Sequence, residues 1–225
     1  IFGGEMQKEA AIELCMKTHG GRSFLHGHLI GDNIHEYLAP CIYEGEGEML
    51  GMAFFKSLVK QHGTQYFEPV GKALQAAGIR KPNMLNPMHL WALKGALLPY
   101  TGWMAGEYLW PRSYSELPAM PERLKRHAQF AIDHLQRSAR QISGTMRKHQ
   151  LKLADRQCRM SELSSRTQSL VVMLCTCLHA STSDDEVVQA AADVLCQQTT
   201  LEITGRRIPD SFYRDITQLG ETVVD

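Results

Sequence analysis

An all-α fold is predicted for this chain of 225 residues. Apolar residues recur at spacings of three and four along most of its length. No segment alternates with period two over a useful length. Helix start and stop signals bracket the periodic stretches, from His19-Gly20-Gly21 near the beginning to Ser183-Asp184-Asp185-Glu186 near the end.

Met6, Ala10, Ile12, Leu14 and Cys15 fit a helix over Glu5–Thr18, ended by His19-Gly20-Gly21. After a Gly- and His-rich loop, Ile30, Ile34, Tyr37 and Leu38 mark a second helix, which Pro40 is expected to stop. Residues 41–47 then form a tight connection. Met49, Met52, Ala53, Phe55 and Leu58 line the next helix, ended by Gly63, and a short one follows from Phe67 to Ala77, closed by Gly78. Two prolines and two asparagines between Arg80 and Pro87 mark a linker. The chain is therefore divided into 1–63, a connecting segment 64–86, and 87–225.

The second part opens with an aromatic-rich stretch, Leu90–Trp110, broken at Pro99 and Gly102, and a loop up to Pro121. Leu124, Ala128, Ala131, Leu135, Ala139, Ile142 and Met146 then define a long amphipathic helix. Leu153, Met160, Leu163, Thr167, Leu170, Leu174 and Cys177 continue it, either after a break or on one bent helix. Ser183, with Glu186 three residues on, reads as a capping box for a helix lined by Val187, Ala191, Val194 and Leu195. A short helix over about Asp210–Leu219 closes the set. Residues 124–204 are expected to pack as antiparallel helices.

Lys+Arg and Asp+Glu balance at 24 each, so no net field draws in nucleic acid. No run of apolar residues is long enough for a bilayer, and no secretory signal is present. The six cysteines, Cys15, Cys41, Cys158, Cys175, Cys177 and Cys196, include no CxxC pair and are expected as reduced thiols. Cys175 and Cys177 point about 200° apart on a helix and cannot share one zinc ion. The opening Ile1-Phe2-Gly3-Gly4, without Met and leading straight into a helix, is expected of a piece of a longer protein.

Ile42-Tyr43-Glu44-Gly45 is the most informative stretch. A carboxylate between an aromatic residue and a glycine, just before a helix, can be aimed into a cleft. Apolar surroundings would raise its pKa toward the range useful for proton abstraction. The competing reading is a surface turn whose acids favour the helix N-terminus behind them. His19, His26, His28 and His35, with Glu36 and Glu44, fall close enough in sequence to raise a metal site. No HxxxH or HExxH pair places two of them on one helical face, and no metal is expected. Trp91, Tyr100, Trp103, Tyr108 and Trp110 suit either a membrane interface or packing against a neighbouring segment; packing is preferred, since only Lys94 and Arg112 supply nearby positive charge. Arg123-Leu124-Lys125-Arg126 and Arg147-Lys148-His149 read as solvated helix faces.

The order of a helix ending in His19-Gly20-Gly21, a second helix, then Ile42-Tyr43-Glu44-Gly45 and another helix resembles the end of the acyl-CoA dehydrogenases. In the second half, Lys152 to Ser181, with Asp155-Arg156-Gln157, Leu163-Ser164 and Leu170-Val171-Val172-Met173-Leu174, is similar to the helical extension of the very-long-chain members. So is the ending Phe212-Tyr213-Arg214-Asp215 with Val223-Val224.

The resemblance implies the last helices of the dehydrogenase's C-terminal bundle, followed by an added helical domain. It implies flavin-dependent α,β-dehydrogenation of a long acyl-CoA in fatty-acid β-oxidation, with FAD held by the full-length protein and not by this piece alone. Glu44 would take the α-proton while the hydride passes to the flavin, and Gly45 would lie beside the substrate. Lys17, Thr18, His19, Gly20 and Gly21 would meet the flavin's adenine diphosphate portion across a subunit interface, and Glu46, Gly47 and Glu48 would also approach it. A homodimer, an electron-transferring flavoprotein as acceptor, and peripheral membrane contact through 90–110 are further implications. The expected location is the cytoplasm, with possible membrane association, in a bacterium, or the matrix side of the mitochondrial inner membrane in a eukaryote. Several positions depart from the family pattern. Its Thr after Glu-Gly is Glu46, its Gln before Gly-Gly is Lys17, and its Arg-Asp-Ala is Tyr37-Leu38-Ala39. The alternative is a helical dimerisation or membrane-docking module without catalytic activity.

Overall fold

The computed structural model describes residues 2–43, 47–79, 83, 85–109 and 117–224. All of its regular structure is helical, with no strand among the described residues. By packing, the chain divides into one unit made of 1–56 and 157–165, and another made of 57–156 and 166–225.

The first unit starts with a helical rod. It runs as α1 (Phe2–Lys8), widens into π-helical turns over Glu9–Met16 and returns to α geometry in α2 (Lys17–His19). The widening shifts the buried face away from the one an α-helical reading selects. Ala11 and Met16, five residues apart, are buried, as i→i+5 geometry requires. Leu14 and Cys15, expected on the buried stripe, are exposed. A 3₁₀ turn over Gly20–Phe24 leads to α3 (Leu29–Asp32), α4 (Ile34–Leu38) and α5 (Pro40–Tyr43). α4 ends at Leu38, just ahead of Pro40 as expected, and Pro40 itself opens α5, a position where its missing N–H costs nothing. α4 and α5 fold back on α1, and a Cβ at Gly4 would sit 3.5 Å from Pro40 Cβ and 3.6 Å from Cys41 Sγ. Later in this unit, buried Ser164 donates a hydrogen bond to the Gly51 carbonyl at 2.7 Å.

Helix α6 (Gly47–His62) enters the second unit at Ser57. Gly63 does not stop it. The chain continues through π turns at Gly63–Phe67 into α7 (Glu68–Ala76), which ends where Gly78 takes φ +65°. α8 (Pro87–Leu109) runs unbroken through Pro99 and Gly102, where an interruption was expected. Packing explains the difference. Tyr100 and Trp103 stack at 5.9 Å and enclose His62 together with Tyr66 and Phe67. His62 Nε2 and the Tyr100 hydroxyl both lie 3.0 Å from the Oγ of fully buried Ser143. Burial holds His62 below the ordinary imidazole pKa. These contacts anchor one side of α8, so tertiary packing overrides the helix-breaking preference of proline.

The core lies between α9 (Glu122–His149), α10 (Gln157–Ala180) and α11 (Glu186–Thr204). Ala128 and Ala131 of α9 meet Leu170, Met173 and Cys177 of α10 and Cys196 of α11. The expected stripes on α9 and α10 are largely those that are buried. Between these helices the chain breaks, with Gln150 at φ 48° and a 3₁₀ stretch over Gln150–Asp155. The cap of α11 is Asp185, whose carboxylate accepts from Val187 N at 2.8 Å; Ser183 instead accepts from Asp185 N. The extra turn between Ser183 and the helix start moves the capping role to the residue whose side chain reaches a free N–H. α12 (Asp210–Val224) packs on α11 and is one turn longer than its periodicity suggested.

One side chain on the inner face of α11 is charged. Asp193 is 5% exposed, and its carboxylate accepts from His127 Nε2 at 2.9 Å, Arg123 at 3.0 Å and Gln197 at 3.1 Å. Gln197 also donates to Asp215 of α12 at 2.8 Å. Burial works to raise the Asp193 pKa, but hydrogen bonds and charge from His127 and Arg123 outweigh it and hold the carboxyl below its usual range.

A group with a depressed folded pKa adds stability that is complete above its unfolded value, about 3.9 for Asp, and is lost as pH falls through the folded value. Asp193→Asn should therefore lower unfolding free energy by about 1–3 kcal/mol at pH 7. The difference from the parent should vanish in strongly acidic solution, as measured by urea unfolding at a series of pH values.

Candidate functional site

The turn after the first rod is built from backbone and imidazole. Gly20 takes φ 60° and ψ −139°, a region essentially reserved for glycine. The chain there reverses into the 3₁₀ turn, and Ser23 Oγ, buried, donates to the Met16 carbonyl at 2.7 Å. A side chain at Gly31 would run into the Ser23 backbone carbonyl, so this glycine permits the close approach of the two segments.

Histidines fix the loop. His28 caps α3 by accepting the Gly31 N–H on Nδ1 at 3.0 Å, so Nδ1 carries a lone pair and the ring proton sits on Nε2. That proton points at His19 Nδ1, also 3.0 Å away. A ring whose Nε2 bears hydrogen and whose Nδ1 accepts a backbone N–H offers no free electron pair to a metal. Among the described residues no three His, Cys, Asp or Glu side chains gather as metal ligands. His26 is solvent-facing and pairs with Asp32 at 3.6 Å, while Asp32 also accepts from Gly27 N at 2.7 Å.

The predicted site residues that are described lie at the Gly-Gly turn and in the first turn of α6. Lys17 is exposed and ion-paired with Glu13, and Thr18 donates to the Leu14 carbonyl at 2.7 Å. No atom stands within 4 Å of where a Cβ would sit at Gly20 or Gly21, so both positions face open space. Glu48 is exposed in the first turn of α6, next to Gly47. Glu44, Gly45 and Glu46 lie outside the described residues. Their approach is nevertheless framed: Ile42 and Tyr43 are exposed at the end of α5, which rests on Gly4. Gly4 and Lys17 stand at opposite ends of one rod, some 15–20 Å apart at helical rise. The Gly-Gly turn and the start of the acidic loop are thus not brought together within one chain.

No family model, curated protein or solved structure matches the chain.

Sequence reasoning missed the Asp193 network and the His62–Ser143–Tyr100 group. His127 four residues after Arg123, on one face of an amphipathic helix, was the available signal for the first. Nothing local announced the second, whose members come from α6, α8 and α9. No described helix is long and apolar enough to cross a membrane.

Gly20→Ala should cost about 1–3 kcal/mol, because the observed φ and ψ are closed to a residue with a Cβ. Gly21→Ala should cost well under half of that. Chemical denaturation of the two variants gives the comparison.

Proposed function

We propose that this chain is the C-terminal helical part of a flavin-dependent acyl-CoA dehydrogenase acting on long acyl chains, with Glu44 as its base. The carrying observation is the agreement of motif order with helix order. A rod ends in a glycine turn, short helices return along the rod to Gly4, and Ile42-Tyr43 leaves α5 toward Glu44-Gly45. Exposed apolar residues add support. Phe24, Leu29 and Tyr43 are 85%, 75% and 85% exposed, a surface suited to burial against further protein.

In this reading Glu44 accepts the α-proton of the thioester, and backbone N–H groups of its loop stabilise the developing enolate oxygen. The flavin, when bound, accepts the β-hydride. Gly45 allows the thioester to approach the backbone. Lys17 to Gly21 present an open glycine backbone and one cation, a surface that fits a nucleotide diphosphate. Because this turn lies far along the rod from Gly4, it serves the flavin of a partner subunit, which makes the active unit a homodimer. An electron-transferring flavoprotein would reoxidise the flavin. Glu46 and Glu48 follow Glu44 closely in sequence, and if they share its site like-charge repulsion would raise its pKa.

The test is acyl-CoA oxidation by the protein expressed from its complete gene, before and after Glu44→Gln. Turnover should fall by about 10²–10⁴-fold, the usual contribution of a general base, with the flavin spectrum retained. Unchanged turnover would overturn the assignment.

A second reading, a membrane-docking helix, is favoured by α8. Trp91, Leu98, Tyr108 and Leu109 are exposed, and Lys94 Nζ lies 3.3 Å from the Trp91 ring centroid. Trp103 is taken up by the His62 cluster, and Trp110 lies outside the described residues. Flotation with anionic vesicles should therefore depend on Trp91 and Tyr108, and be lost in the double Ser variant. A parent chain that stays at the bottom of the gradient ends this reading.

A further inference from the structure

Two thiols face each other in the middle of the helical core. Cys177 of α10 and Cys196 of α11 are both fully buried, with their sulfurs 3.6 Å apart. Ala128, Ala131, Leu170 and Met173 complete the cluster around them. A disulfide bond is about 2.05 Å long, so the sulfurs must close by roughly 1.5 Å. The two helices are sequential neighbours joined by the short connection 181–185. The other four cysteines have no such arrangement: Cys15, Cys158 and Cys175 are exposed and Cys41 is half-buried.

We propose that Cys177 and Cys196 form a buried redox pair that hydrogen peroxide converts to a disulfide, fastening α10 to α11. Cys177 gives up its proton, and its sulfur attacks one peroxide oxygen. The O–O bond breaks, leaving Cys177 as the sulfenic acid and releasing water. Cys196 sulfur then attacks the sulfenic sulfur; the S–O bond breaks, and hydroxide leaves with the Cys196 proton as a second water. Two thiols and one peroxide become one disulfide and two waters, the two electrons passing from sulfur to oxygen.

The environment distinguishes the two roles. A hydrogen bond from Cys196 favours the Cys177 thiolate and lowers its pKa. The Cys177 partner and burial push the Cys196 thiol up, with Asp193 adding to that. Cys196 Sγ also faces the Met173 carbonyl at 3.9 Å, a second acceptor for its proton, and on that geometry Cys177 is the attacking sulfur and Cys196 the resolving one. Peroxide is small enough to reach the pair through local opening of the helices, which occurs well below the free energy of global unfolding.

Differential alkylation tests this on the intact chain. The accessible thiols are blocked with N-ethylmaleimide under native conditions, peroxide is added, and the remaining thiols are labelled with iodoacetamide in guanidine. Two second labels are expected without peroxide and none after it, with recovery on adding dithiothreitol. Trypsin leaves Cys175, Cys177 and Cys196 on one peptide, so cleavage at Glu186 by a Glu-specific protease is needed to expose the cross-link between Cys177 and Cys196. Cys175→Ser should keep the link and Cys177→Ala should abolish it. If Cys177→Ala fails to fold, the peptide map of the parent and of Cys175→Ser decides. The proposal is overturned if both thiols still take the second label after peroxide, if Cys196 is joined to Cys175, or if the link forms only in guanidine.

Discussion

The second unit depends on a charge placed where hydrophobic packing would ordinarily demand an apolar side chain. Asp193 faces inward from α11, and α9 answers with Arg123 and His127, one turn apart on the same face. Gln197 extends the link to Asp215, so α12 joins the same network. A buried carboxylate without these donors would be strongly destabilising, whereas with them it fixes which turn of α11 meets which turn of α9. The apolar contacts of Leu124, Ala128, Ala180 and Ala192 are small and smooth, and alone they would allow neighbouring registers. The polar pairing supplies the registration that alanine-rich surfaces lack.

Much of the architecture was legible because α9 and α10 keep an α-helical period over many turns. Leu124, Ala128, Ala131, Leu170 and Cys177 are buried where spacing placed them. Reading failed where the period changes or where tertiary contacts override local preference. Glu9–Met16 buries residues five apart, so a helical wheel of 3.6 selects the wrong face. On α11 a hydrophobic pattern cannot see Asp193, and it chose Ala191, which is exposed, over Ala192. Pro99 was taken as a break because sequence shows its missing N–H and conceals the aromatic packing of Tyr100 and Trp103.

Of the candidate site, the glycine turn was legible, since its requirement is a backbone one that only Gly20 meets cheaply. What sequence could not provide was the proton arrangement of the histidine loop. Spacing alone argued against a metal site but could not tell what the rings bind instead: His28 accepts the Gly31 amide and meets the His19 ring. The proposed dehydrogenase chemistry rests on a loop launched from α5, and α5 in turn rests on Gly4. A Cβ there would make ordinary contact with Pro40 and Cys41, so alanine fits, while a side chain longer than alanine has to find room beside them.

The π-helical turns of that rod carry a consequence for how such a protein can diverge. A π segment in an otherwise α-helical run amounts to one residue too many for the turns it occupies, and each residue swings the chain by about 100°. Losing a single codon between Glu9 and Met16 would let the rod relax to ordinary α geometry over the same number of turns, so Lys17 to Gly21 would keep their azimuth while the buried face between the two ends changes. Only a second loss, with no widened turn left to absorb it, would swing that turn by about 100°. Related chains that differ by one residue in this stretch would therefore present the same turn to the same neighbour.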